Sequence, residues 1–160
     1  MSEVELKRYI ELYRSSVTNA ALFIVKNPSD AEDIMQDVFL KLYTYTGVFK
    51  NDEHVKAWLL RCAINGGLNL IKSNWHKNSV SLDSIRELPD RNSDTGSDIR
   101  NAMMSLDPKL RAVIYLHYFE GYTAQETAKL IGISTAAAKG RLKRARIGFH
   151  HRCKRRAVFK

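Results

Sequence analysis

The chain has 160 residues, of which 44% are hydrophobic and 27% charged, with a formal net charge of +9. That length suits one domain or two small ones and excludes a barrel enzyme with appendages, while no apolar run approaches the roughly 18 residues of a membrane span. Charge is unevenly spread: residues 1–73 carry 9 Lys/Arg against 9 Asp/Glu, residues 74–98 carry 3 against 5, and residues 99–160 carry 14 against 3.

From Lys139 to Lys160 there are ten basic residues and no acid. Such a run is either the footprint of a polyanion, most simply nucleic acid, or a solvated basic face. The opening dozen residues mix acidic, basic and apolar types, which predicts no signal peptide. Cys62 and Cys153 fit neither a disulfide framework nor a zinc pattern, so a reducing cytoplasm is the expected compartment.

Apolar spacing is helical throughout, with no sustained alternation of β-branched residues, and predicts an all-α chain. A first helix is expected from about Glu3 to Lys26, ahead of Pro28. Ser29 with Glu32 reads as a capping box for a second helix, in which Ile34, Val38, Leu42 and Tyr45 share a stripe and which Gly47 ends. A third helix is expected from Asn51 or Asp52 to about Lys72. Val55, Leu59, Cys62 and Leu70 form its apolar arc, and Trp58, Arg61, Asn65, Asn69 and Lys72 an adjoining one.

Residues 75–98 turn to Ser, Asn, Asp, Pro and Gly, the composition of a linker. The expected domains are therefore 1–74 and 99–160. In the second, a short helix runs from Ile99 to Ser105. Asp107 caps a further helix with Pro108 at its first position, an apolar face of Leu110, Val113, Ile114 and Tyr118, and a stop at Gly121.

Thr123 and Glu126 form another capping box. The following stretch, TAQETAKLIGISTAAAKGRLKRAR, places Ala128 in one helix and Gly132 in the turn. Ser134 stands at the cap of a second helix with Ala138, Leu142, Ala145 and Phe149 on its inner face. This is a helix-turn-helix: alanine lets the helices cross closely, glycine accepts the left-handed turn, and serine caps the helix that faces DNA. The outward residues are Thr135, Ala137, Lys139, Gly140, Lys143, Arg144 and Arg146. Thr135 and Lys139 suit base edges, and the later cations suit phosphates.

The segment LDPKLRAVIYLHYFEGYTAQETAKLIGISTAAAKGRLKRAR, Leu106 to Arg146, resembles region 4 of the extracytoplasmic-function (ECF) sigma factors of the sigma-70 family. DAEDIMQDVFLKLY, Asp30 to Tyr43, and HVKAWLLRCAINGGLNLIKS, His54 to Ser73, resemble that family's region 2. The resemblance implies a chain whose region 2 docks on the β′ clamp helices of bacterial RNA polymerase and reads and melts the −10 element. Region 4 would sit on the β flap and read the −35 element. An anti-sigma factor, promoter DNA and core polymerase are the implied partners, with no membrane insertion. The implied location is the cytoplasm, on the nucleoid when polymerase is bound.

Carried onto this sequence, the resemblance assigns polymerase docking to Asp33, Gln36, Asp37 and Phe39. It assigns −10 contacts to Phe49, Lys50 and Asn51 in the loop ending at Asp52, together with Arg61, Asn65, Asn69 and Lys72. The −35 contacts are Ser134, Thr135, Ala137, Lys139, Gly140, Lys143, Arg144 and Arg146. Trp58 could stack a base, although a core role is preferred. Ala138 and Thr127 depart from the β-branched and aliphatic residues commoner in the family, and Gly66 with Gly67 predicts a kinked or weak helix.

No phosphate-cradling glycine loop, HExxH or serine elbow is present, so no enzyme activity, cofactor or metal is expected. His150, His151 and Cys153 read as solvated tail residues. Two competing functions remain open on the residues alone: a polymerase-independent helix-turn-helix regulator, and a protein that sequesters a partner through its N-terminal helices. Dependence on polymerase discriminates them.

Overall fold

The computed structural model describes residues 1–77 and 101–157, and side chains through Trp75 and from Asn101 to His151. The chain divides into two compact units, 1–86 and 87–160. Among the described residues all regular structure is helical. Most of the predicted 75–98 linker, the start of the short helix at Ile99 and the Cys153 side chain lie outside the described residues.

In the first unit, α1 (Glu3–Val25) packs against both α2 (Pro28–Thr44) and α3 (Asp52–Lys77). Ser2 and Glu5 form a reciprocal capping box, and Lys26 ends α1 with φ 63°. Asn27 caps α2, not Ser29: its Oδ1 accepts from the backbone N–H of Ser29 at 2.9 Å and of Asp30 at 3.3 Å. Pro28 has no N–H to satisfy and suits the first helical position, which puts the cap one residue ahead of it. Glu32 instead pairs with Arg14 at 3.3 Å. The helix stops at Thr44, before the predicted Gly47, because Tyr45 turns extended at φ −68°, ψ 127°.

Helix α3 begins under an Asn51 cap, whose Oδ1 accepts from the His54 N–H at 2.8 Å. It continues past Lys72 to Lys77, so Trp75, assigned to the linker, is helical and exposed. Val55, Leu59, Leu60, Ala63 and Ile64 are buried, whereas Cys62 and Leu70 of the predicted arc are only half-buried. Gly66 and Gly67 do not break the helix. A Cβ at Gly67 would stand 2.8 Å from Ile24 Cγ2, so the missing side chain is what lets α3 close on α1.

The described part of the second unit has helical residues 101–104, followed by α4 (Pro108–Ile114), a π-helical turn (Tyr115–Phe119), α5 (Ala124–Ile131) and α6 (Thr135–Ala157). Asp107 caps α4 by accepting from the Lys109 N–H at 2.9 Å. Val113 and Ile114 are buried as expected, but Tyr118 is 52% exposed. The π turn inserts a residue into the helical period, closing with Glu120 N–H to Tyr115 O at 3.1 Å, and so rotates Tyr118 and Phe119 outward. Arg111, a surface residue by pattern, is buried and donates to the carbonyls of Leu106 and Met104. Burial pulls its pKa down to about 10, with Asp107 opposing.

Candidate protein and nucleic-acid interfaces

The helix-turn-helix is built as its residue types demand. Thr123 Oγ1 accepts from the Glu126 N–H at 3.1 Å while Glu126 Oε2 accepts from the Thr123 N–H at 2.9 Å, which closes the first turn of α5. Gly132 takes φ 75°, and the Ile133 N–H returns to Ala128 O at 3.0 Å. Ala128 and Ala138 are both buried, and α6 packs on α5 and α4 through Ala138, Leu142 and Ala145. Small side chains at the crossing fix how closely α6 approaches, and hence which of its faces is left outside.

That outer face is basic. Lys139, Lys143, Arg144 and Arg146 are exposed, and Thr135, Ala137 and Gly140 are half-buried. Ser134 Oγ accepts from the Ala137 N–H at 3.0 Å, so this hydroxyl is already engaged as the cap. Arg146 Nε donates weakly to Leu142 O at 3.4 Å along its own helix. Ala136, passed over in favour of Ala137, is the more exposed alanine at the start of α6. Open space around Gly140 leaves the backbone uncovered there, since a Cβ would meet nothing within 4 Å.

In the first unit α2 is a ridge between two grooves. The groove against α1, about 460 Å³, is lined by Leu6, Ile10, Gln36, Phe39, Leu40 and Tyr43 among others. That against α3, about 360 Å³, includes Asp30, Asp33, Asp37, Lys41 and Asn69. Asp33, Gln36 and Asp37 are exposed. Phe39 is not an exposed anchor: it is 5% exposed, because its position falls on the side of α2 that faces the core. The apolar groups presented outward are Leu40, 62% exposed, and Tyr43, 46% exposed, and neither was singled out from the sequence. Leu40 stands at i+4 and Tyr43 at i+7 from Gln36, and that helical spacing was the available signal.

The proposed −10 residues separate into three settings. Arg61, Asn65 and Lys72 lie exposed on α3. Asn69 is also exposed and shares its groove with Asp33, Asp37 and Lys41. Phe49 is half-buried, with its ring centroid 4.7 Å from Tyr45 and 5.8 Å from Trp58. Trp58 is likewise half-buried in this aromatic cluster, while Lys50 is exposed and Asn51 spends its Oδ1 on the α3 cap.

At the first position of α3, Asp52 ties that helix to α1. It pairs with Arg8 and accepts from Tyr9 Oη at 3.2 Å, and its backbone carbonyl accepts from Tyr13 Oη at 3.3 Å. The Arg8 hydrogen bond holds the Asp52 carboxyl below its ordinary pKa. Among the described residues no group of three or more His, Cys, Asp or Glu side chains could hold a metal ion.

The family model for Sigma-70 region 2 matches residues 9–77, and that for Sigma-70, region 4 matches residues 97–147. This chain belongs to the sigma-70 family. It falls in the extracytoplasmic-function group, as its relatives bear out: ECF RNA polymerase sigma factor SigM of Mycobacterium tuberculosis is 28% identical over 123 residues, covering 76% of this chain and 63% of that protein. RNA polymerase sigma factor SigV of Bacillus subtilis is 26% identical over 127 residues, covering 78% and 76%. The chain thus spans about 63% of the length of SigM. Its fold is that of the sigma factor RpoE solved in complex with the anti-sigma factor NepR from Bartonella quintana, with a TM-score of 0.75 at 21% identity over 94% of this chain and 97% of that one. In this sigma-70-family chain the region 2 match takes in all of α2 and α3, and the region 4 match ends within α6.

Proposed function

We propose that this chain binds core RNA polymerase and directs it to promoters, with the first unit docking on the β′ clamp helices and reading the −10 element. The helix-turn-helix, seated on the β flap, reads the −35 element. One observation carries the reading: the chain that presents a basic recognition helix also presents an acid, amide and apolar ridge of Asp33, Gln36, Asp37 and Leu40 on α2. A regulator that acts on DNA alone has no use for that ridge. Acids there complement basic partner residues, and an exposed leucine supplies an apolar anchor to bury.

Base recognition falls to the first turns of α6, with Lys139 at the groove, while Lys143, Arg144 and Arg146 hold phosphates. On the −10 side, Arg61 and Lys72 hold the backbone of a melted strand and Asn65 hydrogen-bonds an extruded base. The chain supplies recognition and no catalysis of its own. It acts in the cytoplasm, on the nucleoid when polymerase is bound. RpoE was solved with an anti-sigma factor, and by analogy an anti-sigma partner is proposed here too.

The deciding experiment is transcription in vitro with core polymerase on a genomic fragment library. Initiation at defined promoters that requires both chain and core supports the proposal, and operator binding without core dependence overturns it. Ala at Asp33, Gln36 and Asp37 together should lower core affinity with an unchanged melting curve. Lys139→Ala should flatten preference within the −35 element, whereas Arg144→Ala should weaken all −35 sequences alike and reduce the salt slope by about one unit.

A further inference from the structure

Residues 45–51 join α2 to α3 without regular structure, and 46–50 form the loop between Tyr45 and the Asn51 cap. Phe49 turns inward onto Tyr45 and Trp58, while Thr46, Gly47, Val48, 89% exposed, and Lys50 face outward. The last loop residue is held from α3. His54 Nδ1 accepts from the Lys50 backbone N–H at 3.2 Å, and the His54 ring meets Phe49 edge-on, with centroids 5.4 Å apart at 79°.

A backbone N–H can only donate, so this bond uses Nδ1 as the acceptor. The His54 N–H is in turn satisfied by Asn51 Oδ1 at 2.8 Å. Helix start and loop end are therefore locked reciprocally, as in a capping box, but the side chain at the third helical position reaches one residue further back. The result is a held backbone at Lys50 next to an exposed apolar side chain, Val48, a pairing suited to an extruded base and its phosphate.

We infer that His54 is a positioning residue for −10 recognition, holding the 46–50 loop through the hydrogen bond that its Nδ1 accepts from the Lys50 backbone. The inference rests on the proposal that this loop contacts the −10 strand. Two substitutions separate the hydrogen bond from the ring. His54→Asn places an acceptor oxygen at the covalent position of Nδ1 and removes the ring, whereas His54→Phe keeps a ring and removes the acceptor.

The test uses the full chain with core polymerase on promoters with a constant −35 element and a randomised −10 element. His54→Phe is expected to reduce discrimination between the preferred and next −10 sequences about fivefold, the worth of an ordinary hydrogen bond, while His54→Asn stays within about twofold of the parent. Core affinity and melting should be unchanged in both. Equal loss in the two variants, loss in neither, or loss only in His54→Asn overturns the role given to the Nδ1 bond. The double variant Val48→Gly with Lys50→Ala keeps the outcomes distinct. If it flattens −10 preference while His54→Phe does not, the loop reading stands and the His54 inference falls. If it changes nothing, both fall.

Discussion

The two units are stabilised by different means. In the first, the buried residues are apolar, drawn from three helices of 23, 17 and 26 residues. In the second, α4 and α5 have only 7 and 8 residues, and the buried set includes Arg111 and Thr127. Long amphipathic helices can close a core by apolar packing alone. Short ones such as α4 and α5 have fewer inward positions, and here the buried Arg111 adds a donor to the main-chain carbonyls of Leu106 and Met104. The second unit therefore depends more on individual residues, and substitutions can test that contrast.

Arg111→Ala should do the most damage. It strips the carbonyls of Leu106 and Met104 of a buried donor and leaves a cavity, at a cost of about 3 kcal/mol. Hydrogen exchange followed by mass spectrometry should show lost protection in peptides from residues 101–151, with those from residues 1–75 unaffected. Equal loss in both sets of peptides would contradict separate stabilities.

Gly67→Val is the counterpart in the first unit, where the new side chain overlaps Ile24 and should cost about 2 kcal/mol. Both tryptophans, Trp58 and Trp75, lie in this unit, so thermal unfolding followed by their fluorescence reads the effect directly.

Two substitutions in the second unit should stabilise it, each by about 1 kcal/mol. Gly140→Ala gains helix propensity where a Cβ meets nothing within 4 Å. Thr127→Val removes a buried hydroxyl that has no hydrogen-bond partner among the described residues. Slower exchange in α5 and α6 peptides is the measurement, and a Gly140→Ala variant that loses −35 binding despite higher stability would show that DNA needs the bare backbone there.

The smallest effect belongs to Asp52. Its pKa is lowered in the folded chain, so its contribution is present above the unfolded carboxyl pKa and is lost as pH falls through the folded one. Asp52→Asn should lower the melting temperature slightly at neutral pH and leave it unchanged in acid, which flattens the acid side of the fluorescence-detected stability profile.

Much of the recognition helix was legible from local chemistry. Thr123 with Glu126, Gly132, Ser134 and the inward Ala138, Leu142 and Ala145 are each read from one turn of chain, and the structure builds each as its type requires. Elsewhere a local pattern had two solutions. Asn27 and Ser29 are both capping residues, and Pro28 between them selected the first.

What the sequence alone determined is the set of helices, the turn chemistry and the basic outer face of α6, because periodicity and capping depend on neighbours within one or two turns. Only the tertiary structure decided that Phe39 faces the core while Leu40 and Tyr43 face out, that a π turn carries Tyr118 to the surface, that Arg111 is buried and that Gly67 is a packing contact with Ile24. Each of these turns on which other helix arrives at a given side and how closely. That distance is set by residues far along the chain, and no local spacing encodes it.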